Sequence, residues 1–215
     1  GSLVINKAPL TLASATLTKA YDGKALANAN AGDEGVTASA QLNANGLATE
    51  SGWVKDEGAT YSFDNSQTLV GEKANAFTVT AKEGTDLGNY EISKTEGKLV
   101  VANRDAKFEV TLKANSATAT YDGEAHSAAG VEKDTFEIGG VTYKVSGYQT
   151  SDPSSTNATA GMPNKVTGTY VVTDADNNVV TDQFNVKTED GSLVINKAPL
   201  TLASATLTKA YDGKA

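Results

Sequence analysis

Between Lys107 and Lys113 the chain reads Lys-Phe-Glu-Val-Thr-Leu-Lys, apolar at every second residue. That period belongs to a β-strand, whose successive side chains point to opposite faces. Phe108, Val110 and Leu112 are expected to face a core, and Glu109 and Thr111 to face water. Phe77-Thr78-Val79-Thr80 and Tyr143-Lys144-Val145-Ser146 alternate in the same way. The run from Val166 to Val172 has the β-branched and aromatic content that strands favour. Short apolar runs such as Leu193-Val194-Ile195 suit a strand covered on both faces. Turn chemistry at Asp22-Gly23, Gly139-Gly140, Asn177-Asn178 and Asp190-Gly191 separates these segments. The stretch from Gly35 to Leu47 reads two ways. Its alanines allow a short helix, whereas Val36-Thr37 and Asn45-Gly46 favour strand and turn. The predicted class is mostly β, either sandwich-like or a β-grasp-like sheet with one short helix.

Repetition organises these strands. Residues 191–215 repeat residues 1–25 letter for letter, a period of 190 residues. Cores tolerate many substitutions, so packing alone does not enforce such identity; it implies recent duplication of a long unit. The ends of the chain are therefore expected to be cuts through a longer array. A weaker repeat lies inside the first: Tyr21-Asp22-Gly23 recurs as Tyr121-Asp122-Gly123 and as Tyr211-Asp212-Gly213, each after a Ser-Ala-Thr segment. Lys94–Val101 resembles Lys187–Ile195. The sequence thus predicts two tandem small β-rich modules set end to end, at residues 7–104 and, in a diverged form, 105–196. Residues 1–6 would be the closing strand of a preceding module, and 197–215 the truncated start of a third, too short to bury a core alone. Asn196-Lys197-Ala198-Pro199-Leu200 joins the last strand of one module to the first of the next without a Gly/Ser-rich linker, and its proline stiffens the joint.

The combination Gly191-Ser192-Leu193-Val194-Ile195-Asn196-Lys197-Ala198-Pro199-Leu200-Thr201, followed by Tyr211-Asp212-Gly213, resembles the YDG-type and MBG-type (mucin-binding-protein-like) repeat modules of large bacterial surface adhesins. Gly1–Thr11 with Tyr21–Gly23 fits the same form. The middle copy departs from it, with Ala106-Lys107-Phe108 in place of Ala-Pro-Leu. The resemblance implies a bacterial extracellular protein, cell-wall attached or secreted, in which such modules form a stalk.

Composition narrows the chemistry. The 215 residues carry a net charge of −8 and include no cysteine. Disulfides, thiolate metal sites and thiol nucleophiles are excluded. An acidic chain without a Lys/Arg cluster is unsuited to nucleic acid. No apolar run reaches the roughly 18 residues of a membrane span.

Few residues suggest a site. Each Tyr-Asp-Gly reads as a structural turn: Gly supplies positive φ, Asp bonds locally, and Tyr buries its ring beside the sheet. Asp174, Asp176 and Asn178 have the spacing of a calcium loop, but Val179 replaces its glycine and Asn185 its closing glutamate, which favours a polar hairpin turn. His126, the only histidine, lies just past a turn and is expected at the surface rather than in catalysis. Trp53, the only tryptophan, is expected in a core, with sugar stacking as the alternative. Asn157-Ala158-Thr159 matches a glycosylation sequon that carries no weight in a bacterial protein. Lysines and asparagines suffice for isopeptide crosslinks, without a recognisable acid beside them. No enzyme activity, catalytic residue or cofactor is expected, because catalysis gains little from tandem copies. The expected role is a structural spacer that projects or links other domains. The alternative is a module that itself binds glycan, mucin or its own kind. Expected partners are neighbouring modules of the same polypeptide, other copies of the chain, and a host or environmental glycan.

Overall fold

The computed structural model describes residues 1–214. They form strands joined by turns and short 3-10 segments, with no α-helix among them. The mostly-β expectation therefore holds. Two compact units arise: Gly1–Val110 with Thr135–Ser146 and Tyr170–Val186, and Thr111–Asp134 with Gly147–Thr169 and the chain from Lys187 onward.

Eleven strands precede residue 103: β1 (Ala8–Ala13), β2 (Leu17–Ala20), β3 (Leu26–Ala27), β4 (Thr37–Ala38), β5 (Thr49–Ser51), β6 (Ala59–Ser62), β7 (Ser66–Gln67), β8 (Gly71–Asn75), β9 (Thr78–Ala81), β10 (Tyr90–Thr95) and β11 (Gly97–Ala102). Strand β1 lies between β10, to which it is parallel, and β5, to which it is antiparallel. Strand β11 lies between β2, again parallel, and antiparallel β8, with β4 beyond β2. The alternating apolar residues of β1, Leu10 and Leu12, meet Leu47, Phe77 and Tyr90 in a core that Trp53, Tyr61 and Phe63 flank.

Ten strands follow: β12 (Phe108–Lys113), β13 (Ala117–Thr120), β14 (His126–Ser127), β15 (Thr135–Ile138), β16 (Val141–Thr150), β17 (Ser154–Ser155), β18 (Thr159–Asn164), β19 (Val166–Asp174), β20 (Phe184–Glu189) and β21 (Gly191–Asn196). Part of the pairing order of the first eleven recurs in them, beside a three-stranded set β15-β16-β19. Strand β21 lies between parallel β13 and antiparallel β18, as β11 does between β2 and β8. The short pair β14–β17 repeats β3–β7, and β12 pairs with β20 as β1 does with β10. Val110 and Leu112 are buried and Glu109 and Thr111 exposed, as the alternation requires. Leu193, Ile195, Ala128 and Met162 pack together.

A buried asparagine closes each set. Asn75 Nδ2 donates to the Ala15 carbonyl at 2.9 Å and to Asn28 Oδ1 at 2.8 Å. Asn164 Nδ2 donates to the carbonyls of Asn115 (3.1 Å) and Gly130 (3.2 Å). A buried amide must be satisfied, so each asparagine fixes how β8 or β18 meets the preceding turn.

The turns partly follow expectation. Gly139 and Gly140 both have positive φ (60° and 81°) and link β15 to β16, while Asn177 (φ 63°) turns the chain after β19. At Asp190-Gly191 the expected left-handed turn is absent. Gly191 opens β21, and a Cβ there would lie 2.2 Å from the Asn115 carbonyl oxygen. Close backbone approach, rather than positive φ, demands the glycine. Gly97 is its counterpart, with a would-be Cβ 2.3 Å from Ala15 backbone atoms. The Gly35–Leu47 stretch takes the strand-and-turn alternative: β4, then a loop in which Asn43 Oδ1 accepts from the Asn45 and Leu47 amides, with Gly46 at φ 80°.

Residues 1–7 and 197–214 form no strand. A Gly97→Ala substitution is expected to lower stability by about 1–3 kcal/mol through this backbone overlap. An unchanged denaturant midpoint would show that β11 and the Ala15 turn separate freely.

Candidate functional site

The three Tyr-Asp-Gly copies build the same local loop. Asp22 Oδ1 accepts from the Lys24 amide (2.9 Å) and from Lys19 Nζ (2.7 Å). Asp122 Oδ1 accepts from the Glu124 amide (2.9 Å) and lies 3.0 Å from His126 Nε2. Asp212 Oδ1 accepts from the Lys214 amide (3.0 Å) and lies 2.9 Å from Lys209 Nζ. The glycines sit at φ 77°, 88° and 79°. The Glu124 amide, then His126, hold the Asp122 carboxyl below its usual range; Lys209 and the Lys214 amide do so for Asp212. The loop is thus locally encoded: residues 211–213 form it outside any strand.

The tyrosine is not set locally. Tyr21 is 0% exposed, Tyr121 45% and Tyr211 97%. The expectation that each tyrosine buries its ring beside the sheet holds only for Tyr21, and the reason lies farther along the chain, within the first compact unit. The Tyr143 hydroxyl occupies the space beside Gly23, where a Cβ would sit 2.2 Å from it and 3.0 Å from Val141. At Gly123 a Cβ would meet nothing within 4 Å. The Tyr21 and Tyr143 hydroxyls lie close together, and neither reaches a partner at full hydrogen-bond geometry. Burial raises both above the ordinary tyrosine range.

Arg104, the only arginine, ties this joint together. Its Nη1 donates to the Tyr21 carbonyl (2.9 Å), its Nε to the Ala106 carbonyl (2.9 Å), and its guanidinium lies 4.0 Å from the Phe108 ring centroid. Gln183 is buried; its Oε1 accepts from the Arg104 amide (3.0 Å) and its Nε2 donates to Asn103 Oδ1 (2.6 Å). Phe108, Tyr143 and Phe184 stack around them with centroids 4.8–6.3 Å apart. A crevice of about 400 Å³ beside Tyr21 is walled by Leu69, Val70 and residues 179–183.

A second cluster centres on Glu50. Its Oε1 accepts from Trp53 Nε1 (3.0 Å) and the Tyr61 hydroxyl (2.7 Å), and its Oε2 from Asn43 and Asn45 Nδ2 (both 2.7 Å). Burial alone would raise the Glu50 carboxyl, but these four donors outweigh it and hold it below its ordinary value. Trp53 meets Tyr90 edge-on at 4.9 Å and flanks the core while staying partly exposed. Tyr90 donates its hydroxyl to Glu57.

The remaining candidates fall into place. Asp174 Oδ1 accepts from the amides of Asp176 (3.0 Å) and Asn178 (2.8 Å), and Oδ2 from Asn178 Nδ2 (2.9 Å). These bonds shape residues 174–178 into a hairpin turn bridged at Thr173 and Val179. His126 lies on β14 with Asp122 as its partner. Lys19, the buried lysine, contacts Asp22 and the Lys24 carbonyl rather than an asparagine. Sequence reasoning missed Arg104, Tyr143, Gln183 and Glu50. That Arg104 is the chain's one arginine was the one available signal.

No family model, curated protein or solved structure matches the chain. No helix among the described residues is long and apolar enough to cross a membrane.

Two outcomes test these clusters. Glu50→Gln turns one acceptor into a donor facing donors and is expected to cost about 1–3 kcal/mol at neutral pH. The Glu50 contribution is present above the ordinary glutamate value of about 4.3 and is lost as pH falls through the lowered folded value. The native chain should therefore lose more stability than the variant between pH 7 and 3 in urea titrations. For the tyrosine pair, the folded values are raised, so the contribution is complete below about pH 10 and fades as pH rises beyond it. Tyr21→Phe with Tyr143→Phe should match or exceed native stability at pH 7, since both hydroxyls lack partners, and should flatten the alkaline loss. A large drop at pH 7 would show that the hydroxyls are satisfied.

Proposed function

We propose that this chain is a structural stalk segment of a bacterial extracellular, adhesin-like surface protein, whose repeats project or link other domains. The observation that carries this reading is the packed joint around Tyr21. Tyr143, Arg104 and Gln183 fill it, and no Gly/Ser tether is present. Aromatic rings, a stacked guanidinium and buried hydrogen bonds thus hold the chain on both sides of Asn103–Ala106 within one compact unit, where a flexible linker would leave it loose. The letter-for-letter period supports the same reading, since each added period lengthens the chain without changing its chemistry. The resemblance to YDG-type and MBG-type modules points to the cell surface.

One observation favours a second reading, in which each repeat is itself a glycan-binding module. Trp53 is partly exposed beside Glu50, Asn43 and Asn45, and a ring next to a carboxylate and amides is a set that sugars use. Against it, the polar atoms of Trp53 and Tyr61 are already engaged by Glu50.

Small-angle scattering on polypeptides of one, two and three periods separates the possibilities. A radius of gyration that grows nearly in proportion to the number of periods supports the stalk; growth near the compact-domain power of about 0.38 overturns it. Saturable binding of one period to a glycan array, abolished by Trp53→Ala at unchanged stability, would favour the second reading.

A further inference from the structure

Among the described residues, three other than glycine have positive φ: Asp56 (64°), Asn177 (63°) and Asp152 (49°). Asp56 and Asn177 sit in tight turns, where the Glu57 amide donates to the Val54 carbonyl and the Asn177 amide to the Asp174 carbonyl, each at 3.1 Å. Asp152 sits in no such turn and precedes Pro153. A proline pushes the residue before it toward extended backbone, so the left-handed conformation of Asp152 is disfavoured twice over. Its surroundings hold it there. The Asp152 amide donates to Asn164 Oδ1 (3.2 Å), the Ser151 amide donates to the Lys165 carbonyl (3.1 Å), and the Pro153 carbonyl accepts from the Ala128 amide (3.1 Å). Asn164, Ala128 and Pro153 are buried. Backbone strain persists only where neighbours over-determine it, and it gathers where chemistry draws on it.

The first eleven strands hold an unstrained counterpart. The pair β14–β17 repeats β3–β7, which sets Asp64-Asn65 where Asp152-Pro153 stands. Ser62 Oγ donates to Asp64 Oδ1 (2.8 Å), as Thr150 Oγ1 donates to Asp152 Oδ1 (2.5 Å). Asp64 has no positive φ, and no proline follows it. The same loop therefore forms without either feature, so folding does not demand them. The Gly130 amide also donates to Asp152 Oδ1 (2.9 Å). Thr150, then that amide, hold the Asp152 carboxyl below its usual range, which keeps it an anion. Its Oδ2 has no partner among the described residues, and the side chain is exposed to water.

We propose that the Asp152–Pro153 bond, the only Asp-Pro bond in the chain, is a self-cleavage site. Asp152 Oδ2 attacks the Asp152 carbonyl carbon and closes a five-membered cyclic anhydride. The C–N bond to Pro153 breaks, and the proline nitrogen takes a proton from solvent and leaves as a secondary amine. Water then opens the anhydride. Asp152 becomes a new C-terminus with both carboxyls, and Pro153 becomes a new N-terminus. The net reaction consumes water and no other reagent. Breaking the bond removes the pre-proline constraint, so the fold raises the starting state more than the transition state. The two pieces stay paired through β14 with β17 and β13 with β21, so the molecule is nicked rather than divided. This inference does not depend on the stalk reading.

The test is intact-mass spectrometry of the full chain, incubated folded and, in parallel, unfolded in urea. Both samples are held at about pH 5, where carboxylates are ionised and protons for the leaving nitrogen remain available. Pieces ending at Asp152 and starting at Pro153 are expected at least about tenfold faster from the folded chain, the factor that corresponds to about 1.4 kcal/mol of released strain. Asp152→Asn removes the nucleophile and should abolish cleavage. Pro153→Ala keeps the carboxyl, relaxes the backbone and makes a poorer leaving group, and should slow cleavage at least about tenfold. A folded chain that stays intact overturns the proposal. So does cleavage as fast in urea, or cleavage undiminished in either variant once circular dichroism shows that variant to be folded.

Discussion

The structure depends on two parallel pairings that close long stretches of chain: β2 with β11, and β13 with β21. Partners in these pairs lie about 80 residues apart in sequence, so the loop must close before any of their hydrogen bonds contribute. The central position of β11 and β21 compensates, because each is paired along both edges at once. The demands on Gly97 and Gly191 follow from this. The closing strand enters past the Ala15 or Asn115 backbone so tightly that no side chain fits. The buried asparagines then bind the third strand of the set to the same turn. A segment with the same sequence but without these partners forms no strand, as residues 1–7 and 197–214 show.

Much of this was legible in the sequence because alternation reports burial directly. The pattern from Phe108 to Leu112 foretold which side chains face inward, and Gly139-Gly140 foretold a hairpin. Other features depend on long-range neighbours that no local pattern encodes. Asp190-Gly191 looks like a turn dipeptide, yet its glycine answers to the backbone of Asn115, some 75 residues away. The Asp and Gly of Tyr-Asp-Gly make their loop from neighbouring residues, but the fate of its tyrosine is decided by Tyr143. Glu50 gave no signal, because its four donors are spread over residues 43–61 and converge only after folding.

The Tyr-Asp-Gly motif therefore carries two layers of information. The Asp and Gly fix a loop that survives even without a sheet. The Tyr offers a ring that becomes buried only when another element is placed over it. Gly23 also serves both layers: its positive φ makes the turn, and its missing Cβ admits Tyr143. A turn motif that doubles as a receiving surface explains why tyrosine persists in a loop whose hydrogen bonds never use its side chain.

The distribution of identity along the chain bears on the same point. Strand β12 carries Glu109-Val110-Thr111-Leu112 where β1 carries Pro9-Leu10-Thr11-Leu12, a register that follows the spacing of Tyr21 and Tyr121 rather than the Ala-Pro-Leu match, and β21 carries Leu193-Val194-Ile195 where β11 carries Leu99-Val100-Val101. The buried positions stay aliphatic in both sets, Leu10 and Leu12 in one and Val110 and Leu112 in the other, so similar pairing forms from different sequences. Identity is complete only across the 190-residue period, and it covers the closing strand, the joint and the opening strands together. Within it, β1 and β2 pair with strands about 80 residues farther along the chain. Local sequence alone therefore does not decide these strands: residues 7–24 pair into sheets, whereas residues 197–214, letter for letter the same, form no strand.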